Sequence, residues 1–128
     1  MKVTKKSVLA FHMEDDRADA VKRVCEASGL EMVRVMPASE NAPLGLLAQA
    51  DGWMSKSLMS SQPDYVAITD EMIVICGLDS KEMDRFLAGL RTIGTVRLKA
   101  VLTPQNAVWN GLQLFGELEG EFKAFYRK

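Results

Sequence analysis

Residues 98–109 read LKAVLTPQNAVW, and this stretch decides how the C-terminal part of the chain is expected to fold. The apolar residues before Thr103 predict a strand. Thr103 is a good N-cap, because its hydroxyl can accept a hydrogen bond from a backbone N–H. Pro104 suits the first helical position, where the N–H that proline lacks would have no partner. The stretch therefore predicts a strand that turns directly into the last helix, which runs from Pro104 towards Phe125.

Three other segments predict the remaining main strands. Residues 8–11 and 72–76 are continuously apolar, a pattern typical of strands that are buried on both faces, so we expect them at the centre of a sheet. Residues 32–36 alternate between apolar and charged, as expected of an edge strand. A further short strand is predicted at 65–68, after a weak helix that opens at Pro43 and extends towards Met59.

Two helices are predicted between these strands. The first is capped by Asp15 or Asp16 and stops at Gly29. The second begins at a capping box formed by Asp79 and Glu82 and is closed by a glycine at position 94.

The order of elements repeats along the chain. A shift of 65 residues lays strand on strand and Gly29 on Gly94, which predicts two β-α-β-α halves at about 7–60 and 64–128 within a single domain, 1–128. The fold class is therefore α/β, with one sheet of about four main strands and helices packed on it. The pattern leaves two sheets open: a parallel one, and a ferredoxin-like antiparallel one.

Composition excludes several classes of function. Sixteen Lys and Arg against seventeen Asp and Glu give a net charge of -1, so we expect no nucleic-acid partner. No apolar run approaches the roughly 20 residues that a membrane span needs. We therefore expect a cytoplasmic protein without membrane contact. Cys25 and Cys76 are far apart in the sequence and are expected to be buried, reduced side chains.

Acidic residues follow the first strand, in the order His12, Glu14, Asp15 and Asp16. Such side chains can bind metals, but acids at a helix start are favoured by the helix dipole alone, so we interpret them as capping residues. No catalytic residue, metal site or cofactor is assigned. A carboxylate-based enzyme assisted by His12 or Cys76 is the alternative to a binding module.

A second alternative is a receiver-like phospho-acceptor domain. Glu14 to Asp16, then PDYVAITD at 63–70, resemble the acidic residues and the phosphorylated aspartate of response-regulator receivers. Thr69 stands where that family places the acceptor, and no fifth strand follows 102–103 to carry its lysine.

The favoured hypothesis is a small binding or regulatory module with its ligand groove at the strand-end corner. Its candidate ligand-binding residues combine a helix start with nearby charged and aromatic groups: Lys99, Thr103, Asn106, Trp109 and Glu71. The competing interpretation is that Thr103 and Asn106 only satisfy backbone groups. In the last helix, Glu119 interrupts an apolar stripe, so the helix is expected either to bend or to leave the core and form a homodimer.

The same corner carries a family resemblance. LKAVLTP at 98–104, followed by Asn106, Trp109 and an acidic helix, resembles an uncharacterised bacterial, clostridial-type domain-of-unknown-function family with the motif L-K-A-V-L-T-P-x-N-x-x-W. Residues 43–48 and 71–72 fit as well, whereas the final 127–128 pair, Arg-Lys, departs from the acidic end expected of that family. The resemblance implies no activity.

Overall fold

A computed structural model describes residues 1–53 and 67–126 of the chain. The elements follow in the order β1 (Ser7–Phe11), α1 (Asp15–Ala27), β2 (Glu31–Val35), a 3-10 turn (Pro37–Ser39), α2 (Leu44–Leu47), β3 (Met72–Cys76), α3 (Ser80–Arg91), β4 (Leu98–Val101) and α4 (Gly111–Tyr126).

The four strands form one mixed sheet in the order β2-β1-β3-β4. The predicted α/β class with helices packed on a four-stranded sheet is confirmed, as is the central position of the two apolar strands. Strand β1 is parallel to β2 and β3 is parallel to β4, but β1 and β3 are antiparallel, with Leu9 opposite Val74. The sheet therefore matches neither the wholly parallel nor the ferredoxin-like arrangement, since its direction reverses once, at the centre.

Alternate residues of β1 and β3 point to opposite sides of the sheet, and all of them are buried. Both faces of the sheet are therefore covered. Helices α1 and α3 cover one face, where Val21 and Phe86 pack on the sheet. Helix α4 and the segments around α2 and 102–107 cover the other face, where Leu44 and Phe115 are fully buried. The result is a three-layer α/β arrangement.

The predicted cap of α3 is present, whereas the predicted cap of α1 is not. The predicted capping box at α3 is present: Glu82 N donates to Asp79 Oδ1 at 2.8 Å, and Asp79 N donates to Glu82 Oε1 at 3.0 Å. At α1 the N-cap is Glu14, whose side chain makes no capping bond, while Asp15 and Asp16 lie in the first turn. Asp15 pairs with Arg34 Nη1 at 2.8 Å and Asp16 Oδ1 accepts from Arg17 N at 2.9 Å, and both carboxylates also interact favourably with the helix dipole.

The start of the last helix was predicted wrongly. Residues 104–108 form only turns, and α4 begins at Gly111. Asn110 caps it, since Gln113 N donates to Asn110 Oδ1 at 2.9 Å. A single helical turn does form after Thr103, since Ala107 N donates to Thr103 O at 2.9 Å. It ends there because the backbone that follows pairs with the segment around Leu44.

The middle of the chain is less regular than predicted. The helix that opens at Pro43 is a single turn, Leu44–Leu47, and its predicted extension lies outside the described residues from position 54. The first half of the predicted strand at 65–68, residues 65–66, also lies outside them. Ile68 is buried in the core although residues 67–69 are not in a strand.

Helix α4 stays on the core through its third turn. Leu118 and Phe122 pack against the buried cluster that includes Phe115. Glu119 interrupts the apolar stripe because its carboxylate accepts a hydrogen bond from Arg97, whose guanidinium lies 4.6 Å from the centroid of the Phe122 ring.

Candidate functional site

The predicted corner site contains a closed hydrogen-bonded turn. Thr103 N donates to Asn106 Oδ1 at 2.9 Å, and Asn106 N donates to Thr103 Oγ1 at 3.2 Å. The amide of Asn106 also donates to Val101 O at 3.0 Å, and Asn106 is only 8% exposed. These polar atoms are therefore occupied by backbone partners.

The structure does not bring all five predicted ligand-binding residues together. Trp109 is half-buried beside Asn106, but Lys99 donates from Nζ to Val96 O, away from the turn. Glu71 precedes β3 next to the first residue of β4, whereas Thr103 follows the last residue of β4. Because Met72 is paired with Leu98, Glu71 lies level with Arg97, six residues before Thr103. At about 3.3 Å per strand residue, Glu71 and Thr103 are separated by about 20 Å along the strands.

A different cleft opens where β1 ends and β3 begins. Because these strands are antiparallel, the end of β1 lies beside the start of β3, with Phe11 opposite Met72. The cleft has a volume of about 500 Å³. The described residues that line it are His12, Met13, Glu14, Arg17, Thr69, Asp70 and Glu71.

One wall of the cleft is held by Arg17. Its Nε and Nη2 donate to the two oxygens of Glu71 at 2.9 and 3.0 Å, a bidentate pair. The same guanidinium donates to Ile93 O at 2.6 Å and Thr95 O at 2.7 Å. Glu71 raises the pKa of Arg17 through this hydrogen bonding. Arg17 and Glu71 therefore form a fixed surface that joins α1, β3 and the loop after α3.

His12 and Glu14 form the opposite, less constrained side. Among the described residues, neither side chain has a hydrogen-bond or ion-pair partner, and both are exposed. His12 has a φ of 56°, a left-handed conformation that is costly for most side chains, although histidine adopts it more often than most. The corresponding position after β3 is Gly77, with a φ of 81°. A histidine therefore occupies a backbone position that glycine would fill with less strain, and backbone strain of this kind is common at functional sites.

Asp70 connects the cleft to α4 through Arg97. Arg97 Nε donates to Asp70 Oδ2 at 2.8 Å, and its Nη1 donates to Glu119 Oε1 at 2.7 Å. These hydrogen bonds lower the pKa of both carboxyl groups, and the charge of His12 lowers the pKa of Asp70 a little further. The two carboxylates in turn raise the pKa of Arg97.

We predict that this network makes part of the stability dependent on pH. A carboxylate whose pKa is lower in the folded protein stabilises it above the unfolded pKa, near 4, and this contribution is lost as the pH falls through the folded pKa. Arg97→Met keeps an apolar chain over Phe122 but removes both pairs. Urea unfolding should show a deficit of about 1 kcal/mol or less at pH 7, discounted for solvent exposure, that shrinks at pH 3.

Arg91→Met is the matched control, because Arg91 is exposed at the end of α3 and forms no ion pair within the described ranges. Its effect should not change with pH in this window. An Arg97→Met deficit that is equally large at pH 3 and pH 7 would show that the two carboxylates do not contribute through their charge.

Both cysteine thiols are buried and unreactive. Burial raises the pKa of Cys76 to about 11 and that of Cys25 to about 12, so neither forms the reactive thiolate at neutral pH. Cys76 lies in the central strand and cannot assist His12. The part of the chain that the structure describes also has no cluster of three His, Cys, Asp or Glu side chains suited to a metal ion.

The receiver-like alternative does not fit this sheet. Receiver domains have the flavodoxin-like fold, with parallel strands and the ligand at their carboxyl ends. Here β3 is antiparallel to β1, and Asp70 precedes β3 and is paired with Arg97. The acidic residues do converge, but the reversed strand direction brings them together.

The described residues form a small α/β fold with an open cleft, lined by charged and polar side chains, at one end of a mixed sheet. Residues 71–125, less than half of the chain, match the model of a family described as "Domain of unknown function (DUF3783)". The resemblance to an uncharacterised domain family is thus supported for the segment from β3 to α4. No curated protein and no solved structure matches the chain.

In the described part of the chain, no helix combines the length and apolar character needed to cross a bilayer.

Proposed function

We propose that the protein is a small binding module whose ligand occupies the cleft between His12 and Glu71. The observation that carries this proposal is that the cleft combines a fixed Arg17–Glu71 wall with two partner-free groups, His12 and Glu14, among the described residues. Binding sites commonly place a few convergent polar groups on a rigid support. The function remains otherwise unknown, in keeping with the family match.

The proposed ligand carries a hydrogen-bond-donating cation, such as an amine or a guanidinium. Glu14 offers a carboxylate that has no ion-pair partner among the described residues, and the imidazole of His12 in its neutral form has a ring nitrogen that accepts a hydrogen bond. Among the described lining residues, Glu71 is paired with Arg17 and Asp70 with Arg97, so Glu14 supplies the negative charge that is left without a partner. An anion would meet this excess of negative charge and would be disfavoured.

Of the five residues that the sequence predicted to bind a ligand, we assign Glu71 to this site. Lys99, Thr103, Asn106 and Trp109 are proposed to serve the fold instead, because their polar contacts are to backbone groups. The second candidate is a carboxylate enzyme in which His12 acts as acid or base. It is supported by the proximity of His12 to Asp70 but lacks an identified nucleophile or substrate.

Amine binding can be tested by titrating the ¹⁵N-labelled protein with butylamine, arginine and spermidine while NMR spectra are recorded. Shifts should concentrate at residues 12–17 and 69–71, because these line the cleft. Glu14→Gln should weaken binding about tenfold, as expected when a charge-assisted hydrogen bond becomes neutral.

Glu26→Gln is the matched control, since Glu26 is exposed on the same helix but lies outside the cleft. Equal effects of the two substitutions would indicate nonspecific attraction by the net charge. Shifts that leave 12–17 and 69–71 unchanged with every probe would contradict the proposal.

Three broader proposals accompany the site. The chain is a single domain of two related halves, about 7–60 and 64–128, which is supported by the pairing of Leu9 with Val74, 65 positions apart. It is a cytoplasmic protein of a bacterial family with the LKAVLTPxNxxW motif and has no nucleic-acid partner. It self-associates through the C-terminal helix α4, which is supported by the exposed side chains of Glu117 and Glu121 on that helix.

A further inference from the structure

Helix α4 has an outward face that its own fold does not explain. Gly116 and Gly120 lie inside the helix, where glycine costs about 1 kcal/mol relative to alanine. A Cβ atom at either position would meet nothing within 4 Å, so no contact among the described residues requires glycine there. Glu117 and Glu121 flank them, are exposed, and have no ion-pair partner in the described ranges. Lys123 and Ala124, both exposed, extend the same face by one turn, so the face carries two carboxylates and one ammonium group.

A groove on the other side of the molecule has the opposite charge. It runs between α1 and α3, has a volume of about 390 Å³, and contains small and apolar residues including Ala20, Val24 and Gly89. Among the described residues that line it, the charged ones are Arg23 and Arg85. Within the part of the chain that is described, neither arginine forms an ion pair. Unpaired guanidinium groups beside an apolar groove suit a helix that carries carboxylates.

We propose that the α4 face of one copy docks in the α1–α3 groove of a second copy. Glu117 and Glu121 would pair with Arg23 and Arg85, and Gly116 and Gly120 would allow the helix backbone to approach the groove closely. This inference rests on the self-association proposed above and adds the receiving surface. It explains two otherwise unrelated features, the helical glycines and the unpaired arginines, by one contact.

The contact joins different surfaces of the two copies. Helices α1 and α3 cover one face of the sheet and α4 covers the opposite face. Such a heterologous contact repeats from copy to copy and produces a ring or an open chain rather than a closed two-fold dimer. The average mass in solution should therefore rise with concentration, and added salt should lower it, because the pairing is electrostatic.

Sedimentation velocity of the full chain across a wide concentration range tests the contact with two charge-reversed variants. Arg23→Glu/Arg85→Glu and Glu117→Arg/Glu121→Arg should each weaken self-association about tenfold or more, since like charges then face each other. Mixing the two variants should restore assembly, because the acidic groove of one now accepts the basic helix of the other. All four positions are on the surface, and circular dichroism of each variant checks folding.

The outcomes separate this inference from the self-association on which it rests. A wild-type chain that stays monomeric at every concentration overturns both. If the α4 variant loses assembly while the groove variant assembles normally, α4 self-association stands and the groove is not its receptor. Failure of the mixture to assemble, with both variants folded, also contradicts the proposed pairing.

Discussion

Replacing Asn106 with alanine is expected to lower the free energy of unfolding by about 2–3 kcal/mol. The substitution removes the acceptor for Thr103 N and the donor to Val101 O, while Thr103 Oγ1 keeps its bond from the backbone of residue 106. A polar group left unsatisfied in a partly buried setting costs about 1–3 kcal/mol. Urea denaturation of the purified variant measures the loss.

Asn41→Ala provides the matched control. Asn41 occupies the equivalent position 65 residues earlier, but its side chain is exposed and forms no hydrogen bond with the described residues. Its replacement should change stability by less than about 0.5 kcal/mol. If Asn106→Ala is equally mild, the turn is not held by the asparagine. If it instead abolishes amine binding with stability intact, Asn106 belongs to a ligand site after all.

The direction of the central strands could not be read from the sequence. Strands β1 and β3 are buried on both faces, so a parallel or an antiparallel pairing would bury the same apolar side chains. Their central position was predictable because it depends on hydrophobicity alone. The choice of direction depends on contacts between distant segments, which a local pattern does not record.

The start of α4 shows how tertiary pairing overrides a genuine local signal. A helix continuing from Pro104 would need Ala107 O to accept from Gly111 N, and Trp109 O to accept from the amide four residues later. Instead Ala107 O accepts from Gly45 N, Trp109 O accepts from Leu44 N, and Gly111 N donates to Glu40 O. The helix therefore restarts only after this pairing ends.

The cleft escaped prediction for the same reason as the sheet direction. The receiver-like alternative grouped Glu14 with Asp70, but it assumed a parallel sheet and did not include His12 or Arg17. The antiparallel pairing of β1 with β3 is what brings 12–17 next to 69–71. The Arg17–Glu71 pair joins positions 54 residues apart, so no periodic pattern in the sequence predicts it. One signal was available: a histidine at the position where the second half of the chain has Gly77.

The second large effect is expected at the first residue of α4. Gly111→Ala should destabilise the protein by about 2 kcal/mol, although alanine is normally the better helix former by about 1 kcal/mol. A Cβ at this position would lie 2.4 Å from Cε2 of Phe11 and 3.0 Å from its Cδ2. Phe11 is fully buried beneath the helix, so its ring cannot turn aside without disturbing the core. Either the helix start or the aromatic ring must move.

Gly116→Ala is the control for this prediction, since it makes the same substitution in the same helix where a Cβ meets nothing within 4 Å. It should stabilise the protein by about 0.5–1 kcal/mol in thermal and urea unfolding at a concentration where the chain is monomeric. The opposite signs of the two changes are the test, because propensity alone would make both stabilising. A stabilising Gly111→Ala would mean that α4 does not approach β1 as closely as the packing of Phe11 indicates, and the placement of the helix on this face of the sheet would need revision.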